Sequence, residues 1–247
     1  FPHLINRVDS SLAILFKNIT YMGPIRATAS RYYRQQDLAT DEVDSQGGNM
    51  AMFLANLSDN DRQSFSCWCK ESMGFSVSVL PSTSHVSVFI EDSAADSQHN
   101  IADMGFGYSQ ILPLLTTMWV AQRKHVEGDS PALDYLYSTS AMINQNILAV
   151  EQPELHLHPK MQANLADLYC NIVAQSAVGN NDISFVIETH SETIINRIGR
   201  LVNEKRIKPS DVAVLIVEKE IGSSSLTRAS FDDEGYLVNW PYDFFLP

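Results

Sequence analysis

From Gly105 onward, short apolar runs alternate with longer segments of helical period, and this alternation restricts the fold more than any other feature of the chain. Ile147 to Val150, Ile183 to Ile187 and Val212 to Val217 are strand-sized runs. Ser109 to Arg123, Pro159 to Val178 and the segment opening at Ser191 carry apolar residues at helical spacing, such as Met161, Leu165, Leu168 and Ile172. Pro159 suits a first helical turn, and Gly179-Asn180 supplies a stop. This rhythm predicts an α/β domain whose sheet is built mainly from those three runs, with helices on it. Gly222-Ser223 turns the last run into a returning strand near Leu226 to Phe231.

The first hundred residues read differently. An apolar segment, Leu12 to Ile19, precedes Tyr21-Met22-Gly23-Pro24-Ile25-Arg26, and the polar tract from Arg34 to Asn49 reads as a loop. Met50 to Glu71 is helical in part. Phe75, Val77 and Val79, then Val86, Val88 and Ile90 beyond Pro81-Ser82-Thr83-Ser84, alternate as two strands of a hairpin should. The expected organisation is one domain over residues 1–247, with a helical and hairpin arm over 27–100 and the α/β part over 101–247.

Composition excludes several classes. With 45% hydrophobic and 19% charged residues over 247 positions, the chain can bury a core of its own. No apolar run approaches the roughly 20 residues that span a bilayer, so no membrane segment is expected. Cys67, Cys69 and Cys170 lack metal or redox spacing, which points to a reduced, cytoplasmic protein. A net charge of -12 argues against a surface given over to phosphate binding, although Arg197, Arg200, Lys205, Arg206 and Lys208 form a local basic stretch, best read as a solvated helix face.

Three loops carry chemistry. Gly105-Phe106-Gly107-Tyr108-Ser109-Gln110 opens a helix, where glycines let backbone N–H groups approach an anion and Ser109 adds a hydroxyl. Glu151-Gln152-Pro153-Glu154 ends an apolar strand, the place where a fixed carboxylate holds Mg²⁺ in phosphoryl transfer, and Glu151 occupies it. Thr189-His190-Ser191 ends another strand, where His190 can hydrogen-bond a terminal phosphate and report its loss. His156 and His158, with His190 and Glu151 or Glu188, also allow a zinc-dependent hydrolase, although no fourth ligand is evident by spacing.

In order and type the loops resemble the second half of ABC-type ATPase heads, and more narrowly the SMC-like and OLD-like bacterial ATPases of the AAA family. Ile147 to Pro159 is similar to their Walker B strand and D-loop, Gly105 to Gln110 to the signature loop, and Glu188 to Glu192 to the switch segment. Tyr21 to Arg26 and Trp240-Pro241 share the resemblance without an assigned chemistry. It implies a P-loop NTPase-like fold, ATP and Mg²⁺ as cofactors, and two heads sandwiching ATP, so that Gly107 and Ser109 act in trans, with Gly105 and Gln110 in the same loop. It also implies a task in DNA maintenance or defence, with a nucleic acid or effector protein as partner.

Two departures qualify it. No G-x-x-x-x-G-K-[ST] string occurs, and the chain opens on Phe1 rather than Met, so we expect a C-terminal part of a head that is inactive by itself. A scaffold without a P-loop is the alternative. Gln152 stands where the catalytic glutamate is usual and cannot accept a proton, which leaves Glu154 as a base or implies slow, switch-like hydrolysis.

Overall fold

The structure is a computed structural model that describes residues 16, 18–35, 42–92, 97–123, 145–176, 182–220 and 222–241. The expected apolar segment before residue 16, part of the polar tract and the Gly179-Asn180 stop lie outside the described residues. Ten strands and five α-helices follow in the order β1 (Ile19–Met22), β2 (Tyr33–Arg34), α1 (Met50–Asn56), α2 (Asp59–Met73), β3 (Phe75–Pro81), β4 (His85–Asp92), β5 (Ser97–Asn100), α3 (Phe106–Arg123), β6 (Gln145–Glu151), α4 (Pro159–Ser176), β7 (Asp182–Glu188), α5 (Glu192–Asn203), β8 (Val214–Glu220), β9 (Ser223–Phe231) and β10 (Leu237–Val238) among the described residues.

The parallel sheet has the order β1-β6-β7, with Met22 beside Val150 and Val150 beside Ile187. Alternation along β6 turns Leu148 and Val150 into the core, while Ile19, Tyr21 and Val186 on the opposite face are exposed. One expectation is corrected here. The run over Val212 to Val217 does not join this sheet: it becomes β8, antiparallel to β9 in a second sheet of order β10-β9-β8. The reason lies in the connection. Gly222 takes a φ of 84° and reverses the chain at once, and a tight reversal makes antiparallel neighbours, whereas a parallel neighbour needs a long crossover. The third place in the parallel sheet is taken by β1.

Helix α3 starts three residues earlier than its apolar pattern suggested. Ile111, Leu112, Leu114 and Leu115 are each at most 1% exposed, because nearly the whole circumference of this helix is buried. Pro113 lies inside it and packs on Gly47, where a β-carbon would meet the proline ring at 2.3 Å. The hairpin β3–β4 forms as expected, and α2 is capped by Ser58, whose side chain accepts from the Asp61 N–H, and ended by Gly74 in the left-handed region. Phe65 of α2 meets Trp119 of α3 edge-on at 5.4 Å, and Arg123 lies over the Trp119 ring while pairing with Asp61 at 2.6 Å. Phe65 and Val88 of the expected arm share one hydrophobic cluster with Leu148 and Val150 of the parallel sheet. A second, smaller cluster joins Cys170 of α4 to Leu201, Val202, Ile207 and Phe231.

The second sheet is held against α5 by contact between two glycines. A β-carbon on Gly235, whose φ is 80°, would sit 2.0 Å from the Gly199 carbonyl oxygen. Gly235→Ala is expected to cost about 2–3 kcal/mol, because backbone strain adds to a clash with main chain. Gly222→Ala, which meets nothing within 4 Å, should cost only the left-handed penalty of about 1 kcal/mol. Thermal unfolding of the two variants checks the difference.

Candidate functional site

Parallel pairing brings the acidic strand end and the histidine loop to one edge. Glu151 and Glu188 are register partners at the carboxyl ends of β6 and β7. The Tyr21 hydroxyl, from β1, donates to Glu151 Oε1 at 3.0 Å, and this bond to a carboxylate pushes the phenol pKa up.

Beyond Glu151 the chain folds into a tight double turn. Gln152 has a φ of 42° and His156 of 62°. The Gln152 N–H donates to the Glu188 carbonyl at 2.8 Å, and the N–H groups of Leu155 and Leu157 close turns onto the Gln152 and Glu154 carbonyls. Buried Pro153 and Leu157 anchor the turn, leaving His156 at its surface. Glu154 reaches across to the next loop: Thr189 Oγ1 donates to one of its oxygens at 2.8 Å and the His190 N–H to the other at 2.7 Å. Both oxygens are therefore engaged in holding the histidine loop. The Ser191 hydroxyl donates to Gln162 at 2.6 Å and accepts from the Ile194 N–H as the cap of α5, so the His190 side chain projects outward from a fixed base.

The glycine-spaced loop docks on the same turn. A β-carbon on Gly107 would lie 2.8 Å from the His156 carbonyl oxygen, so only glycine lets the start of α3 come this close. Phe106 meets the His156 ring edge-on at 4.7 Å. Gly105 faces open space. Ser109 is buried, with its hydroxyl donated to the Phe106 carbonyl at 2.7 Å, and Gln110 is buried and bonded to Arg26 rather than directed outward. All three loops are thus assembled, with Ser109 and Gln110 on the inner side of theirs.

Sequence reasoning missed Tyr21, Thr189 as a Glu154 partner, and above all Arg26. Its backbone N–H donates to Gln110 Oε1 at 3.0 Å, and its carbonyl accepts from Gln110 Nε2 at 3.0 Å. The guanidinium donates to the Gln110 carbonyl at 3.3 Å and to the Glu151 carbonyl at 3.2 Å. The available signal was the Tyr21 to Arg26 string, conspicuous but without chemistry until folded.

The zinc alternative is not built. His158 Nδ1 accepts from the Lys160 N–H at the start of α4, His156 packs on Phe106, and no three His, Cys, Asp or Glu side chains among the described residues gather to hold a metal. In the basic stretch, Arg200 pairs with Glu204 at the end of its own helix at 2.9 Å on an exposed face, whereas Arg197 turns to α4 and makes a part-buried, two-pronged pair with Asp167 at 2.9 and 3.0 Å. Among the described residues no helix is long and apolar enough to cross a membrane.

A parallel sheet flanked by helices, with acidic strand end, tight turn and histidine loop on its carboxyl edge, defines a mixed α/β protein. The family model of the AAA ATPase domain matches residues 5–195, and the chain belongs to that family. Among solved structures it is similar to a chain from work on ATP-driven dimerization and DNA-stimulated activation of SMC ATPases, at 14% identity over 71% of this chain and 88% of that one, with a TM-score of 0.44. It is also similar to the Smc head domain with an extended coiled coil, bound to the C-terminal domain of ScpA, from Pyrococcus furiosus, at 13% identity over 68% of this chain and 34% of that one, with a TM-score of 0.40. No curated protein matches the chain.

The Glu154 bridge gives a test independent of any ligand. Glu154→Ala leaves the Thr189 hydroxyl and the His190 N–H without their acceptor and should cost about 1–3 kcal/mol, with Glu154→Gln losing less because one acceptor remains. Denaturant unfolding measures the loss, and faster hydrogen exchange at the His190 amide locates it.

Proposed function

We propose that this chain supplies the signature, Walker B and switch segments of an ATPase head that works as an ATP-bridged pair of heads. The observation that carries the reading is the Glu154 bridge, which ties the turn after Glu151 to the His190 loop on the carboxyl edge of a parallel sheet. Around that bridge each residue has a task. Glu151 is only partly buried, and among the described residues its carboxylate accepts one hydrogen bond, from Tyr21, so it is a hard oxygen donor open to Mg²⁺. Bound ATP·Mg²⁺ would bring the phosphoryl group and the metal that neutralises its charge.

His190, outward-facing on a fixed backbone, contacts the terminal phosphate and registers its loss. Gln152 orients the attacking water but takes no proton from it, which makes turnover slow and switch-like. Glu154, with both oxygens engaged, positions His190 and is the weaker candidate for the base. Gly105 and Gly107 offer backbone N–H groups to nucleotide held by the second head, and the inward-bonded Ser109 and Gln110 keep that loop in shape. The organisation into a 27–100 arm and a 101–247 catalytic part follows from the same reading, as do a DNA maintenance or defence task and a nucleic acid or effector partner.

A second reading, a binding scaffold, is favoured by one observation: the sequence contains no Lys-bearing phosphate loop. For the same reason this chain by itself is expected to bind ATP weakly and not to hydrolyse it.

ATP turnover by the protein expressed from its complete reading frame decides between the two. Glu151→Ala and His190→Ala are expected to lower kcat by about 100-fold or more, while Gln152→Glu, which restores a proton acceptor, should raise it by about tenfold. Absence of nucleotide binding by that protein would favour the scaffold.

A further inference from the structure

Arg26 is only 1% exposed, yet no acidic side chain pairs with it among the described residues. Burial lowers its pKa, but a guanidinium stays charged in a protein. The Glu154 carboxylate favours the charge without forming an ion pair with it, and a buried cation with no direct ion pair is expensive, so its position calls for a reason other than stability. Among the described residues neither its Nε nor the buried Tyr169 hydroxyl has a hydrogen-bond partner, which leaves the two terminal nitrogens to define its placement. Those nitrogens fork between two main-chain carbonyls, Gln110 at the start of α3 and Glu151 at the end of β6. The planar fork of arginine can span two acceptors on different elements; the single ammonium of lysine spans them poorly.

The base of the fork is also fixed. The Gln110 side-chain amide closes a two-way bond with the Arg26 backbone, the Gly23 N–H donates to the Ser45 carbonyl at 2.9 Å, and the Ala27 N–H donates to the Gln46 carbonyl at 2.8 Å. We propose that Arg26 is a positioning residue that locks the Gly105–Gln110 loop to the carboxyl end of β6, so that the loop offered to a second head and the turn after Glu151 move as one body. The functional half of this inference rests on the ATPase reading above; the mechanical half does not. Displacement of the loop when a second head closes on it would then reach the Glu151–Gln152 peptide directly, without passing through solvent-exposed side chains.

Hydrogen exchange on the full chain tests the mechanical half. Gln110→Met removes the two-way bond but touches no residue of the Glu151 turn. Under the lock it raises exchange at least tenfold in residues 148–157 as well as in 106–112, while the β3–β4 hairpin stays protected. Arg26→Lys should do the same to a smaller degree. Loosening confined to residues 24–28 and 106–112 in both variants would overturn the lock.

Turnover by the protein from its complete reading frame tests the functional half. Arg26→Lys is expected to lower kcat tenfold or more with KM for ATP within twofold, and an unchanged kcat overturns the coupling. A wild type without turnover removes the ATPase reading, and the exchange result then decides the lock by itself.

Discussion

Pairing of β6 on both sides, by β1 and β7 and in parallel, is the constraint on which the rest of the molecule depends. Parallel strands end at the same edge, so Glu151, Glu188 and the loops that follow them are delivered to one place by main-chain hydrogen bonding alone. The side chains then refine the arrangement. Tyr21 reaches Glu151 because β1 is its neighbour, and Glu154 reaches Thr189 and His190 because the turn after β6 lies beside the loop after β7.

A buried helix completes the arrangement from the other direction. Helix α3 runs through the core with its first turn against the His156 carbonyl and its last turn tied to α2 through Trp119 on Phe65 and Arg123 on Asp61. Because interiors are close-packed, a shift at one end of such a helix is not absorbed locally. Helices α1 and α2 and the β3–β4 hairpin share its hydrophobic cluster with Leu148 and Val150 of β6, so these elements pack as one core beneath the candidate site.

Much of this was legible in the sequence where one local rule sufficed. The alternation of Phe75 to Val79 and Val86 to Ile90 marked the hairpin, the helical spacing of apolar residues after Ser191 marked α5, and the apolar run ending at Glu151 marked β6. Longer-range assignments failed for identifiable reasons. β1 is only four residues long and its partner lies far along the chain, so periodicity carries no trace of the pairing. The run that became β8 looked like a third strand of the parallel sheet because apolar composition does not encode which sheet a strand joins; its hairpin with the next strand was legible at Gly222-Ser223, its separation from β6 and β7 was not.

Local chemistry alone gave the types of the longer elements and the family resemblance, and it singled out the three candidate loops, since spacing and residue type are written along the chain. Tertiary structure decided which of those side chains face outward. It turned Ser109 and Gln110 inward, engaged both oxygens of Glu154, separated the three histidines that spacing alone would have allowed to meet, and buried Arg26 between two carbonyls. The physical reason is that hydrogen-bond partners and burial are properties of what lies across from a residue, and for each of these side chains that neighbour comes from a different turn, strand or helix.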